Sequence, residues 1–195
     1  MKERPINFRS TGDSAFAVVL LVALLVGFVL RIWLLSDQVL IDDEWHGLYY
    51  AIGKSPGWLL THFSIPGATC IPLNFYAWAL KATVGWSETL LRLPSLICGV
   101  VCVLVGPLLA RDIVGPRRAS LLALLLAVSP MLVFYSRLFR PYSAVSLFGF
   151  TAILLAARWM RLGGLWLEVL YAAAAVLAIY FHLYAIVTVA APVLV

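Results

Sequence analysis

The chain has 195 residues, of which 64% are hydrophobic and only 12% charged, with a mean hydropathy of +1.01 and a formal net charge of +5. A soluble domain carries about 25% charged residues, so this composition excludes one and points to a polytopic membrane protein. The basic balance would suggest nucleic acid in a soluble chain, but here many basic residues fall between apolar runs, where topology accounts for them, and no nucleic-acid partner is expected.

Residues 1–14 are polar, carry Lys2, Arg4 and Arg9, and read as a cytoplasmic tail. Residues 15–35 form an apolar run too long for a signal-peptide core and read as the first transmembrane helix, with Arg31 near its far end, where it can snorkel to the interface. Residues 36–89 are the least hydrophobic part and are expected to be an outer loop with interfacial helices. In it, Asp42, Asp43 and Glu44 precede Trp45, Leu48, Tyr49 and Ile52, which recur at helical spacing. The pattern predicts a short amphipathic helix with Asp42 at the N-cap and its acidic start facing solvent, complementing the helix dipole.

Lys54-Ser55-Pro56-Gly57 breaks that helix, and the apolar piece from Trp58 to Phe63 looks interfacial. After Ile65-Pro66-Gly67, the run from Ile71 to Val84 is shorter than the ~20 residues a span needs and reads as a re-entrant or interfacial helix. Gly85 stops it, and Ser87-Glu88 can cap the next.

Residues 90–195 read as the remaining transmembrane helices of the same domain: inward over 90–110, outward over 119–135, inward over 141–157 and outward over 165–181. Arg111-Asp112 with Gly115-Pro116-Arg117-Arg118, and then Arg158 and Arg161, mark the turns between them as cytoplasmic, in agreement with the N-terminal tail. The closing run 183–195 begins inward and stops short of a span's ~20 residues, so a longer protein is expected. Cys70, Cys98 and Cys102 form no metal or disulfide framework and read as buried thiols.

Two places carry further chemistry. Arg137 and Arg140 lie in the outer turn Tyr135-Ser136-Arg137-Leu138-Phe139-Arg140-Pro141-Tyr142, where positive-inside logic disfavours them. Either they snorkel to headgroups, or, three residues apart, they converge on one phosphate, which suits the guanidinium fork. His182, between Phe181 and Leu183, lies at the outer end of a span, as a hydrogen-bonded structural residue or as a ligand. Asp43, Glu44 and His182 could approach a divalent cation, although no metal signature is present and the cofactor stays unknown.

Taken in order, several fragments carry a resemblance. They are Asp43-Glu44 after a first span, Pro72-Leu73-Asn74-Phe75-Tyr76, Leu91-Arg92-Leu93-Pro94-Ser95, Leu109-Ala110-Arg111, Gly115-Pro116-Arg117-Arg118-Ala119, Ser129-Pro130, Tyr135-Ser136-Arg137, Arg140-Pro141-Tyr142 and Tyr180-Phe181-His182. The series resembles the amino-terminal part of C-type (GT-C) polytopic membrane glycosyltransferases of the protein O-mannosyltransferase and aminoarabinose transferase group. The resemblance implies an all-α, GT-C-like transmembrane bundle in a bacterial cytoplasmic membrane, with the N-terminus in the cytoplasm and the active-site loop outside.

It also implies transfer of a sugar from a polyprenyl-phosphate donor to a hydroxyl acceptor on a glycan, lipid or protein. Asp43, with Glu44 as neighbour, matches the family's acidic residue and would activate the acceptor. Arg137 and Arg140 would stabilise the phosphate, beside Tyr142 and His182 as further substrate contacts. Two other classes compete: a membrane protein that binds polyprenyl-phosphate lipids without turnover, and a small transporter with Asp43 and Glu44 as its ion site. Acids outside any span and the lack of a repeat argue against transport.

Overall fold

The computed structural model describes residues 8–62 and 70–194, and every regular element in them is helical. The tail bearing Lys2 and Arg4, together with Phe63, Ile65-Pro66-Gly67 and Thr69, lies outside the described residues. The helices are α1 (Phe8–Ile32), α2 (Asp42–Ala51), α3 (Pro56–Thr61), α4 (Ile71–Thr83), α5 (Glu88–Val114), α6 (Pro116–Val128), α7 (Pro130–Ser136), α8 (Tyr142–Leu162), α9 (Leu165–Phe181) and α10 (Ala185–Leu194).

Three segments, Gly12–Asp37, Glu88–Val114 and Tyr142–Leu162, are long and apolar enough to cross a membrane. The outward run expected over 119–135 is broken: α6 and α7 meet at Ser129-Pro130 with a bend of 55°, and the pair makes a fourth candidate only if it counts as one span. Pro130 has no N–H to give back to α6, which is why the helix breaks there. Much of the apolar surface stays uncovered, with Val18, Leu21, Leu25, Leu121 and Leu125 exposed, as lipid-facing positions would be.

Packing relies on small residues that let helix backbones approach. Ala119, Ala123 and Ala127 put one face of α6 against Phe16, Leu20 and Ala23 of α1, while Ala174, Ala175 and Ala178 of α9 meet Ala152 and Leu155 of α8. At Gly99 of α5 the approach is closest. A Cβ there would stand 2.0 Å from the Ser136 hydroxyl and 2.7 Å from its Cβ, so only glycine fits.

Arg31 departs from its expected position. It does not snorkel; it is 1% exposed and turns inward, because the broken α6 leaves carbonyls without donors. Its Nη2 donates to Leu126 O at 3.1 Å, the carbonyl Pro130 cannot serve, and Nη1 donates to Ala127 O at 3.0 Å and Gly27 O at 2.9 Å. Its Nε donates to the Ser136 hydroxyl at 3.1 Å. One guanidinium thus caps the break and ties α1 to α6 and α7.

Two ends of the bundle are chemically distinct. At one, Asp13 pairs with Arg111 at 2.6 Å and Asp112 with Arg158, among the basic turns. At the other sit α2, α3, α4 and the turn from α7 to α8. There Leu48, Ala51, Leu73, Ala77, Leu91 and Phe139 form a separate core beneath the candidate site. Side-chain hydrogen bonds fix the short helices: Tyr76 Oη donates to Leu90 O at 2.7 Å, Trp86 Nε1 to Ala77 O at 2.7 Å, and Tyr180 Oη to Leu60 O at 2.6 Å. Gly85, at φ +84°, ends α4 as expected, but Ser87 at the N-cap of α5 makes no side-chain cap bond.

Candidate functional site

The acidic start of α2 divides its three carboxylates among three directions, as successive helical residues must, about 100° apart. Asp42 is exposed and occupies the first helical position, one residue inside its expected N-cap, which Ile41 takes instead. Glu44 is a correction to the solvent-facing acidic start. It is 0% exposed and folds back so that Ile41 N–H donates to its Oε2 at 3.0 Å.

Arg92, from the second turn of α5 and 1% exposed, closes on Glu44 through both carboxylate oxygens. Nε donates to Oε1 at 2.9 Å and Nη2 to Oε2 at 2.7 Å, while Phe139 N–H donates to Oε1 at 2.7 Å. The same guanidinium serves Gln38 O at 2.7 Å and Val39 O at 2.9 Å. Burying two ions is tolerable only when the pair is bidentate and its remaining donors and acceptors are met, as here. The pair binds residues 38–44, α5 and the turn before α8 into one unit and leaves Glu44 no face open to a substrate.

Asp43 points elsewhere and its side chain is 47% exposed. Its Oδ2 lies 3.0 Å from Arg140 Nε, an ion pair whose angle does not make a hydrogen bond, so Arg140 Nε stays without a hydrogen-bond partner. Arg140, 6% exposed, also donates from Nη1 to Asp43 O at 3.2 Å and from Nη2 to Tyr142 Oη at 3.3 Å. Ser95 Oγ donates to Arg140 O at 3.0 Å and fixes the turn from α5.

Aromatic contacts extend this cluster. Tyr142 lies with its ring centroid 4.6 Å from Tyr135 and 6.0 Å from His182, which follows α9 and stands 5.7 Å from Tyr184. Asp43, Arg140, Tyr142 and His182, far apart in sequence, therefore form one contiguous group.

Arg137 does not join it. The expected convergence of the two arginines on one anion fails because the turn between α7 and α8 sends them apart. Arg137 Nη2 donates to Trp33 O at 2.7 Å, and its Nε has no partner. Its side chain lines a groove of about 540 Å³ walled by Val39, Ile41, Val133, Phe134 and Leu138, in which it is the one charged residue among the described residues. Ile41 in that wall is two residues from Asp43, so groove and cluster adjoin.

A divalent cation between Asp43, Glu44 and His182 finds no geometry, because Glu44 is consumed by Arg92. Among the described residues no group of three His, Cys, Asp or Glu is placed to hold a metal ion.

Sequence reasoning missed Arg92 and Asn74. A lone arginine within the apolar start of α5 signals a buried carboxylate partner, but the sequence offers Asp37, Asp42, Asp43, Glu44 and Glu88 and does not choose among them. Asn74, on α4, is 4% exposed and its Oδ1 has no hydrogen-bond partner. It stands 3.9 Å from where a Cβ on Gly47 would lie, one turn beyond Asp43 on the same helix face. Cys70 is buried just before α4, and that burial pushes its thiol up to about 12.

Comparison with known protein families, with curated proteins and with solved structures finds no match in any of the three.

Proposed function

We propose that the chain acts in a membrane glycosyltransferase that moves a sugar from a polyprenyl-phosphate donor to a hydroxyl acceptor, at the end of the bundle that carries α2. The observation that carries this reading is the half-exposed Asp43 carboxylate, held by Arg140, beside an apolar groove whose single charge among the described residues is Arg137. An isoprenoid phosphate has the matching shape: a long apolar body and one compact anion.

In this reading the acceptor oxygen bonds to the anomeric carbon as the anomeric C–O bond to phosphate breaks. The hydroxyl proton passes to Asp43, and the electron pair of the broken bond leaves on the phosphate. A carboxylate positioned as general base typically contributes about 10²–10⁴-fold. Arg137, which lines the groove, receives the charge that develops on the phosphate. Arg140 acts on Asp43, holding the carboxylate in place, and Tyr142 with His182 forms an aromatic wall for the sugar. Glu44 is a structural anchor in this scheme. The basic end then faces the cytoplasm and the site the outside, as the positive-inside rule requires.

The groove and Arg137 would equally suit a protein that holds the lipid phosphate without turnover, and the Asp43–Arg140 ion pair favours that second reading to the extent that it occupies the carboxylate. Reconstituting the protein in proteoliposomes with radiolabelled polyprenyl-phosphate sugars and following label into hydroxyl acceptors separates the two. Transfer supports the enzyme; saturable lipid retention with no transfer supports the binder.

A further inference from the structure

We infer that the basic end of the bundle holds a second ligand site, a cleft for the headgroup of an anionic phospholipid. The cleft has a volume of about 260 Å³ and lies where the ends of α5 and α8 meet the start of α9. Arg158 and Arg161 come from the last turns of α8, Asp112 and Ile113 from the end of α5, and Leu162 and Leu167 complete the wall.

Its charge is incomplete. Arg158 pairs with Asp112, whereas Arg161 has no carboxylate partner among the described residues. Two guanidiniums against one carboxylate leave one positive charge, which a singly charged phosphodiester would neutralise. Membrane topology asks only that such a turn be basic; it does not ask for the charge to sit in a recess between three helices.

The walls decide which anion fits. Ile113, Leu162 and Leu167 supply apolar surface beside the arginines, useless to free phosphate but suited to the glycerol and first methylenes of a lipid. Leu162 of the cleft wall is exposed, as are Leu165 and Trp166 at the start of α9, and an exposed Trp is a marker of headgroup depth. Basic recesses between transmembrane helices are recognised sites for anionic headgroups.

The test is thermal unfolding of the purified full chain in neutral detergent during titration with short-chain phosphatidylglycerol, phosphatidylcholine or inorganic phosphate. A ligand that binds the native state raises the unfolding midpoint with its concentration. Phosphatidylglycerol should do so saturably, and the other two should not. Arg161→Gln should shift the phosphatidylglycerol midpoint by about fivefold, the worth of one arginine at a lipid surface. Arg117→Gln, at the same end but outside the cleft, should not shift it.

Arg161→Lys keeps the charge and loses the fork, so a shift smaller than that of the glutamine variant is expected even if the latter folds poorly. Equal stabilisation by phosphatidylcholine would show a general amphiphile effect, and equal stabilisation by phosphate a free-anion site. Either result overturns the inference, as would equal shifts in Arg117→Gln and Arg161→Gln, or unchanged affinity in both Arg161 variants.

Discussion

Glu44 and Arg92 meet through both carboxylate oxygens, at 2.9 and 2.7 Å, with side chains 0% and 1% exposed. The residue before Glu44, Asp43, is half open to solvent. Neighbouring acids thus have opposite environments, one buried against Arg92 and the other half-exposed beside Arg140.

Removing one partner of that pair should be felt as folding. Glu44→Gln leaves the Arg92 charge buried without its counterion, a loss of about 3–5 kcal/mol. Thermal unfolding in detergent should fall steeply, and so should the yield of folded protein. The double variant Glu44→Gln with Arg92→Met should recover part of the loss. A Glu44→Gln protein of native stability would show that the pair contributes little.

The close passage of α5 over α7 makes Gly99→Ala costly, because its Cβ would enter the Ser136 side chain and press on the Arg31 network. An overpacked core typically loses about 1–3 kcal/mol. Adding Ser136→Gly removes the clashing atoms and should restore some of the unfolding temperature. If Gly99→Ala unfolds like the parent, the helices are further apart than described.

Asn74 offers a different sign. Its buried Oδ1 lacks a partner, and such a group costs about 1–3 kcal/mol. Asn74→Leu should raise thermal stability. Where the oxygen serves an acceptor hydroxyl, the same change should lower sugar transfer. A fall in stability would mean that the amide is satisfied in the folded protein.

Burial lifts the Cys70 thiol from an ordinary 9.0 to about 12, so it stays protonated when an unfolded chain's thiol would ionise. Since the unfolded state then releases its proton first, this site contributes full stability below about pH 9 and loses it as pH rises toward 12. Maleimide labelling of Cys70 at pH 8 should be slow until the chain unfolds, and Cys70→Ala should flatten part of the alkaline loss of stability. Rapid labelling of folded protein would contradict the burial.

Much of the frame was legible in the chain. Apolar runs of span length gave α1, α5 and α8, and Gly85 and Pro56 punctuated the shorter helices where backbone geometry required it. The two basic turns also came together at one end, where Asp112 meets Arg158. What escaped depends on pairings across long separations. Arg31 to Ser136 and Arg92 to Glu44 join residues 105 and 48 positions apart, and hydrophobic periodicity along one segment carries no information about such partners. The divergence of Arg137 and Arg140 escaped for a local reason: three-residue spacing brings side chains together only on a continuous helix, and α7 ends at Ser136. The orientation of the acids was available in principle, since consecutive helical residues cannot share a face.

The most direct measurement is sugar transfer by Asp43→Asn beside the parent protein, in proteoliposomes, at equal amounts of folded protein. We expect donor binding to persist and transfer to fall by about 10²–10⁴-fold, the usual worth of a general base. Transfer at the parent rate would remove Asp43 from the chemistry and, with it, the enzymatic reading of this end of the bundle.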